Sequence, residues 1–199
     1  MGEPLPKKKS KLLTWTVVAI IAIIITSVVL YVLYVVAPAT PQLSDPENDV
    51  VVSVGTQYPG MIDVVGASLE ANGTTLRVTI DVRDPVSNVS DGEYAQWNVT
   101  VILENETDVL RTYEVSVDMN STQLTGYKVD VETQNVQSCQ VEHYQKSLTV
   151  LAVMDELQSA KTIEWNILTM FEKYSGNELI TSASDMAPDQ GLQQTVLKP

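Results

Sequence analysis

The stretch Leu76-Arg77-Val78-Thr79-Ile80-Asp81-Val82-Arg83 decides the fold, because its apolar and polar residues alternate strictly. Successive side chains of a β-strand point to opposite faces, so this pattern predicts a strand with one buried and one wet face. Other stretches with strand character are Val50–Val54, Ile62–Leu69, Ala95–Leu103, Tyr113–Asp118, Tyr127–Val131, Leu148–Val153 and Ile163–Phe171.

Turn-forming residues separate these predicted strands, at 71–73, 84–85, 90–92 and 176–177. About eight or nine short strands at such spacing predict an all-β fold, an antiparallel β-sandwich over residues 45–191 with a tail at 192–199. The stretch Met154–Ala160 is expected to be a short helical or looped connection.

An apolar run without charged residues, Leu12–Val36, precedes the strands. A helix of about 25 residues, rising roughly 1.5 Å per residue, crosses a hydrocarbon core of roughly 30 Å. The run therefore predicts a single transmembrane helix that acts as a signal anchor. The lysine-containing segment 1–11 is expected in the cytoplasm by the positive-inside rule, and residues 37–44 would link the helix to an extracellular domain.

Two other interpretations of the apolar run stay open. Ala37-Pro38-Ala39 imitates the cleavage site of a signal peptide, but the apolar core of such a peptide has only about 7–15 residues. A prepilin-type peptidase that cuts near Lys9-Ser10-Lys11-Leu12 would instead leave the helix to pack in a filament, although no clear small residue marks that cut.

The charge of the chain is strongly segregated. The net charge is −13, with Lys7, Lys8, Lys9 and Lys11 clustered at the N-terminus. Beyond Lys11, the remaining eight basic residues face 24 acidic ones, which leaves −16 on the rest of the chain. This division argues against a soluble cytosolic protein and against a nucleic-acid binder.

The glycosylation sequons and the single cysteine indicate a protein of the cell surface. Asn-x-Ser/Thr sequons begin at five asparagines, and the only cysteine is Cys139, so no intrachain disulfide can form. Sequons without cystines suggest an archaeal surface protein, because eukaryotic ectodomains of this size usually carry disulfides. The predicted glycosylation sites are Asn72, Asn88, Asn98, Asn105 and Asn120.

Several segments resemble the DOMON-like and family 9 carbohydrate-binding-module-like sandwiches. They are Asp45-Pro46-Glu47-Asn48-Asp49, residues 61–70, Asn72-Gly73-Thr74-Thr75-Leu76-Arg77-Val78-Thr79-Ile80, Ile163-Glu164-Trp165 and residues 184–191. The resemblance covers about residues 43–191. It implies a surface module that binds sugar or haem, and it implies that the two ends of the domain lie near each other.

Each implied ligand can be weighed on the residues present. Trp97 and Trp165 are the candidates for stacking on a sugar, but both fall on the apolar phase of their strands, which favours core packing. Haem would need His143, the only histidine, with a methionine such as Met61, Met119, Met154 or Met170. The polar surroundings of His143 favour a solvated side chain.

Calcium is the third candidate ligand, because hard cations prefer several carboxylate or carbonyl oxygens. One acidic cluster precedes the strands and another follows them, although such residues are also common turn formers. The candidate ligands of a structural Ca²⁺ are Asp45, Glu47, Asn48, Asp49, Asp185 and Asp189.

The sequence carries no nucleophile elbow, phosphate-binding loop or zinc spacing, so it predicts a protein that is not an enzyme. The expected role is a membrane-anchored binding or structural module. Its partner would be a cell-surface carbohydrate, an S-layer or another membrane protein. The alternative is a component of an archaeal surface appendage, either a pilin-like subunit or the sandwich stator of a motility machine.

Overall fold

The domain after the apolar run is an all-β, curled antiparallel sheet. The structure, a computed structural model, describes residues 43–189 and 191–197. Within them, no helix is both long enough and apolar enough to cross a membrane. The transmembrane helix predicted at Leu12–Val36 lies outside the described residues.

The described residues form twelve strands and two short 3₁₀ turns, Gly60–Ile62 and Asp155–Gln158. The strands are β1 Leu43–Ser44, β2 Val51–Val54, β3 Val64–Asn72, β4 Thr75–Val82, β5 Glu93–Glu104, β6 Val109–Met119, β7 Leu124–Asp130, β8 Val136–Tyr144, β9 Ser147–Val153, β10 Thr162–Ser175, β11 Glu178–Ala187 and β12 Gln193–Val196.

The strands follow the order β1-β3-β4-β9-β8-β7-β6-β5-β10-β11-β2, and β12 pairs with β10. Strand β8 is shared, since its residues 136–139 pair with β7 and its residues 140–144 pair with β9. We call β1, β3, β4 and β9 with the second part of β8 half A. Half B is the first part of β8 with β7, β6, β5, β10, β11, β2 and β12.

One hydrophobic core lies between the two halves. Alternate residues of β4, such as Val78 and Ile80, are buried, as are alternate residues of β5, such as Val99 and Val101. The β4 pattern matches the alternation that predicted the strand, because the polar residues between them face outward.

Trp97 and Trp165 belong to this core. Neither indole is exposed, so neither offers a face to a sugar ring, and the ligand-stacking role is set aside in favour of core packing. The indole N–H of Trp97 donates to the backbone oxygen of Met61 at 3.1 Å, and that of Trp165 donates to the Thr195 hydroxyl at 3.1 Å. Each buried polar N–H is therefore satisfied.

The strand count exceeds the expected eight or nine. Eight strands match predicted stretches, whereas β1, β8, β11 and β12 were not predicted. The expected short connection at Met154–Ala160 is confirmed as the turn Asp155–Gln158.

Candidate metal centre

The chain crosses from half A to half B in residues 45–50, and an acidic cluster lies at this crossing. Strand β1 pairs with β3 in half A, whereas β2 pairs with β11 in half B. The residues between β1 and β2 therefore bridge the open edge of the curled sheet. Two carboxylates, Asp45 and Asp49, lie on this bridge.

Asp45 and Asp49 meet Asp185 of β11. One carboxylate oxygen from each residue lies within 4.8 Å of the corresponding oxygen of the other two. Asp45 is 8% exposed and Asp185 is 4% exposed, so two of the three are almost entirely removed from water. We call Asp45, Asp49 and Asp185 the acidic triad.

Backbone hydrogen bonds hold Asp185 in place. Its Oδ2 accepts a bond from the Val64 N–H at 2.7 Å, and its Oδ1 accepts one from the Met186 N–H at 2.9 Å. The first bond joins β11 of half B to the start of β3 in half A. Asp185 therefore couples the two halves at the same edge where the triad assembles.

A fourth carboxylate, Asp63, is fully buried beside the triad. Its Oδ2 accepts bonds from Arg83 Nη1 at 2.7 Å and from the Asn48 N–H at 2.9 Å. Asp63 directly follows a 3₁₀ turn that is bonded to half B, because the Thr169 hydroxyl donates to the Ile62 carbonyl oxygen at 2.5 Å. Packing and hydrogen bonds therefore fix the position of Asp63.

Several oxygens of these carboxylates are buried without a hydrogen-bond partner among the described residues. They are Oδ2 of Asp45, both oxygens of Asp49 and Oδ1 of Asp63. Buried acceptors are almost always bonded, so each unpaired one requires an explanation. At an effective dielectric constant of 20, two ionised carboxylates 4.8 Å apart repel by about 3 kcal/mol. The cluster is therefore unfavourable unless protons or a cation neutralise it.

The pKa values of three of these carboxylates are raised, which shows how unfavourable their ionised forms are. Burial, followed by the charges of Asp185 and Asp49, raises the pKa of Asp45 to about 7. Burial also raises the pKa of Asp185 to about 6, although the hydrogen bond from the Val64 N–H opposes this change. Burial raises the pKa of Asp63 against the opposing effects of Asn48 and Arg83.

The structure brings together three of the six predicted cation ligands, namely the triad. Glu47 is exposed, and so is Asp189, whose charge nevertheless contributes to the raised pKa of Asp45. The Asn48 side-chain oxygen accepts a hydrogen bond from Arg83 and is thereby engaged. The grouping of carboxylates that the structure shows is therefore smaller than the predicted ligand set, and it consists of Asp45, Asp49 and Asp185.

Asp63 was absent from the predicted ligands. The signal that could have found it is its position, because it is the only charged residue in Met61-Ile62-Asp63-Val64-Val65. A carboxylate inside an apolar run is rarely left buried without a partner or a cation.

The residues considered for haem differ in burial, and Met170 is half-buried on β10. His143 is exposed on β8, whereas Met61, Met119 and Met154 are buried in the core. Cys139, on the same strand as His143, is half-buried, and burial raises the pKa of its thiol.

The outward face of half B is an acidic surface that is separate from the triad. The strand register places five carboxylates on this face. Among the described strand residues, no lysine or arginine lies on it. Two tyrosines lie there, and the Tyr127 hydroxyl donates to Asp118 at 3.2 Å. The carboxylates are Glu104, Glu114, Asp118, Glu164 and Glu172. Like charges disfavour pairing of this face with a second copy of itself.

No protein-family model matches the chain, and no curated protein matches it.

Proposed function

We propose that this chain is a non-enzymatic, membrane-anchored extracellular glycoprotein. Its DOMON-like or family 9 carbohydrate-binding-module-like β-sandwich would serve as a binding or structural module at the cell surface. The helix at Leu12–Val36 would anchor it, with residues 1–11 in the cytoplasm. The partner would be a surface carbohydrate, an S-layer or another membrane protein.

The observation that carries the proposal is the location of the sequons. Asn72 and Asn88 are exposed, Asn72 at the β3–β4 turn and Asn88 in the loop before β5. Asn105 and Asn120 begin the turns that connect β5 to β6 and β6 to β7. A glycan needs an accessible loop, so four of the five sites suit modification in an exported domain.

The two hairpin sequons share a geometry that is compatible with glycosylation. Oδ1 of Asn105 accepts bonds from the N–H and the hydroxyl of Thr107, at 2.9 and 3.1 Å. Oδ1 of Asn120 does the same with Thr122, at 2.9 and 2.8 Å. A glycan attaches through Nδ2, so both turns keep these bonds after modification.

Asn98 provides the internal control. It lies in β5, which pairs with β6 on one side and β10 on the other, and its Oδ1 accepts a bond from the Ser116 hydroxyl at 3.2 Å. A paired strand holds the asparagine away from the conformations that an exposed loop can adopt. We therefore expect Asn98 to stay unmodified.

Mass spectrometry of peptides from the native protein tests the proposal. We expect glycans on Asn72, Asn88, Asn105 and Asn120 and an unmodified Asn98. The variants N105Q and N120Q should each remove one mobility step on a denaturing gel, whereas N98Q should remove none. A native protein that carries no glycan at any of the five positions would contradict the glycoprotein assignment.

A further inference from the structure

We propose that the acidic triad is a Ca²⁺ site, and that the bound ion fastens both halves of the curled sheet at its open edge. Asp45 and Asp49 would supply ligands from the bridge between β1 and β2, and Asp185 would supply one from β11. The site lies entirely within the described residues, so its test is independent of the membrane topology.

The unpaired buried oxygens are the observation that separates this triad from an ordinary acidic surface. Asp45 is 92% buried, and its Oδ2 has no hydrogen-bond partner within residues 43–189 and 191–197. Both oxygens of Asp49 are equally unpaired and removed from water. Buried carboxylates are normally paired or bound to a metal, and no lysine or arginine pairs with the triad among the described residues.

The geometry and the donor type favour calcium. Ca²⁺ binds oxygens at roughly 2.3–2.6 Å, so two ligands on opposite sides of the ion lie about 5 Å apart. The triad oxygens lie within 4.8 Å of one another, a separation that one bound Ca²⁺ can span. Structural zinc sites are built from imidazole nitrogen and thiolate sulfur, which the triad lacks. Magnesium demands a stricter octahedral geometry than two aspartates on one short bridge would provide.

Asp63 has a different role. One of its oxygens is occupied by Arg83 and Asn48, and the other, Oδ1, is unpaired and buried. The Arg83 guanidinium already compensates its charge at 2.7 Å. Asp63 therefore orients the bridge through its hydrogen bond from the Asn48 N–H, and it is not one of the proposed Ca²⁺ ligands.

Calcium titration of the full chain in detergent, after removal of metal with EDTA, tests the site. We expect saturable Ca²⁺ binding with a dissociation constant of about 10⁻⁴–10⁻³ M, the range of extracellular modules. We also expect a rise in melting temperature that follows the same saturation curve. An equal concentration of Mg²⁺ should raise it less.

Variants distinguish this site from the general acidity of the chain. D45N and D49N should each lower Ca²⁺ affinity at least about tenfold, whereas E47Q and D91N, which remove the same charge from exposed positions outside the triad, should keep it within about twofold. In EDTA, D45N should melt above the wild type, because one repulsive partner is removed. Asp49 lies on a loop and is less buried than Asp45. The D49N variant therefore still tests the site if D45N fails to fold.

Three results would overturn the inference. They are the absence of saturable Ca²⁺ binding, equal losses of affinity in the control and triad variants, and a D45N protein that keeps the wild-type response to Ca²⁺.

Discussion

Arg83 is the residue that makes the burial of Asp63 tolerable. Its guanidinium bonds to Asp63, lies 5.3 Å from the centre of the Tyr58 ring and donates to the Tyr58 hydroxyl at 3.3 Å. Removing one partner of a buried ion pair leaves an uncompensated charge, which costs more than the pair itself contributes.

We therefore expect R83Q to lower the free energy of unfolding by about 3 kcal/mol. The control R77Q changes an exposed arginine at the outward face of β4 and should stay within about 0.5 kcal/mol of the wild type. The measurement is urea denaturation of the full chain. If the double variant D63N/R83Q is no more stable than R83Q, the stranded charge of Asp63 is not the cause.

At the residue scale, the sequence supports part of the site. Asp45, Asp49 and Asp185 were predicted because carboxylates flank the strand-rich region at both of its ends, and because the resemblance implied that these ends lie near each other. The position of Asp63 beside these three carboxylates could not be predicted. It depends on a hydrogen bond from the Asn48 N–H and on an ion pair with Arg83. Those contacts join residues 15 and 20 positions apart.

Among the strands, β8 is distinctive because it passes from half B to half A. It begins its transfer at Cys139, which pairs with Gly126 of β7. A Cβ atom on Gly126 would lie 2.2 Å from Cγ2 of Val141 and 3.2 Å from the backbone oxygen of Cys139. The close approach of β7 and β8 at this point therefore requires a residue without a side chain.

We expect G126A to lower the free energy of unfolding by about 1–3 kcal/mol through overpacking. T125A, on the exposed side of the same strand, is the matched control and should have little effect. Thermal or urea unfolding measures both. A G126A protein as stable as T125A would show that β8 can shift without cost at this position.

The missed strands have a common physical reason. In β8 nearly every residue is exposed, so no alternation of apolar residues marks it. In β11 the buried positions are Ala183, Asp185 and Ala187, two small residues and a carboxylate. The functional candidate itself thus interrupts the apolar pattern, whereas β4 and β5 show it because both bury large apolar side chains.

For the whole molecule, we propose that the basic segment, the apolar run and the acidic domain occupy three different environments. The all-β class and its antiparallel pairing were predictable, because period-two alternation recurs over most of residues 50–171. The curl of one sheet into two halves was not, since it depends on the pairing of β8 with strands of both halves.

Protease treatment of intact cells tests this claim most directly. The full chain would carry one epitope tag before Met1 and another after Pro199. We expect external protease to remove the C-terminal tag, while the N-terminal tag stays on a membrane-bound fragment that contains Leu12–Val36. A C-terminal tag that resists protease until the cells are opened would contradict the account.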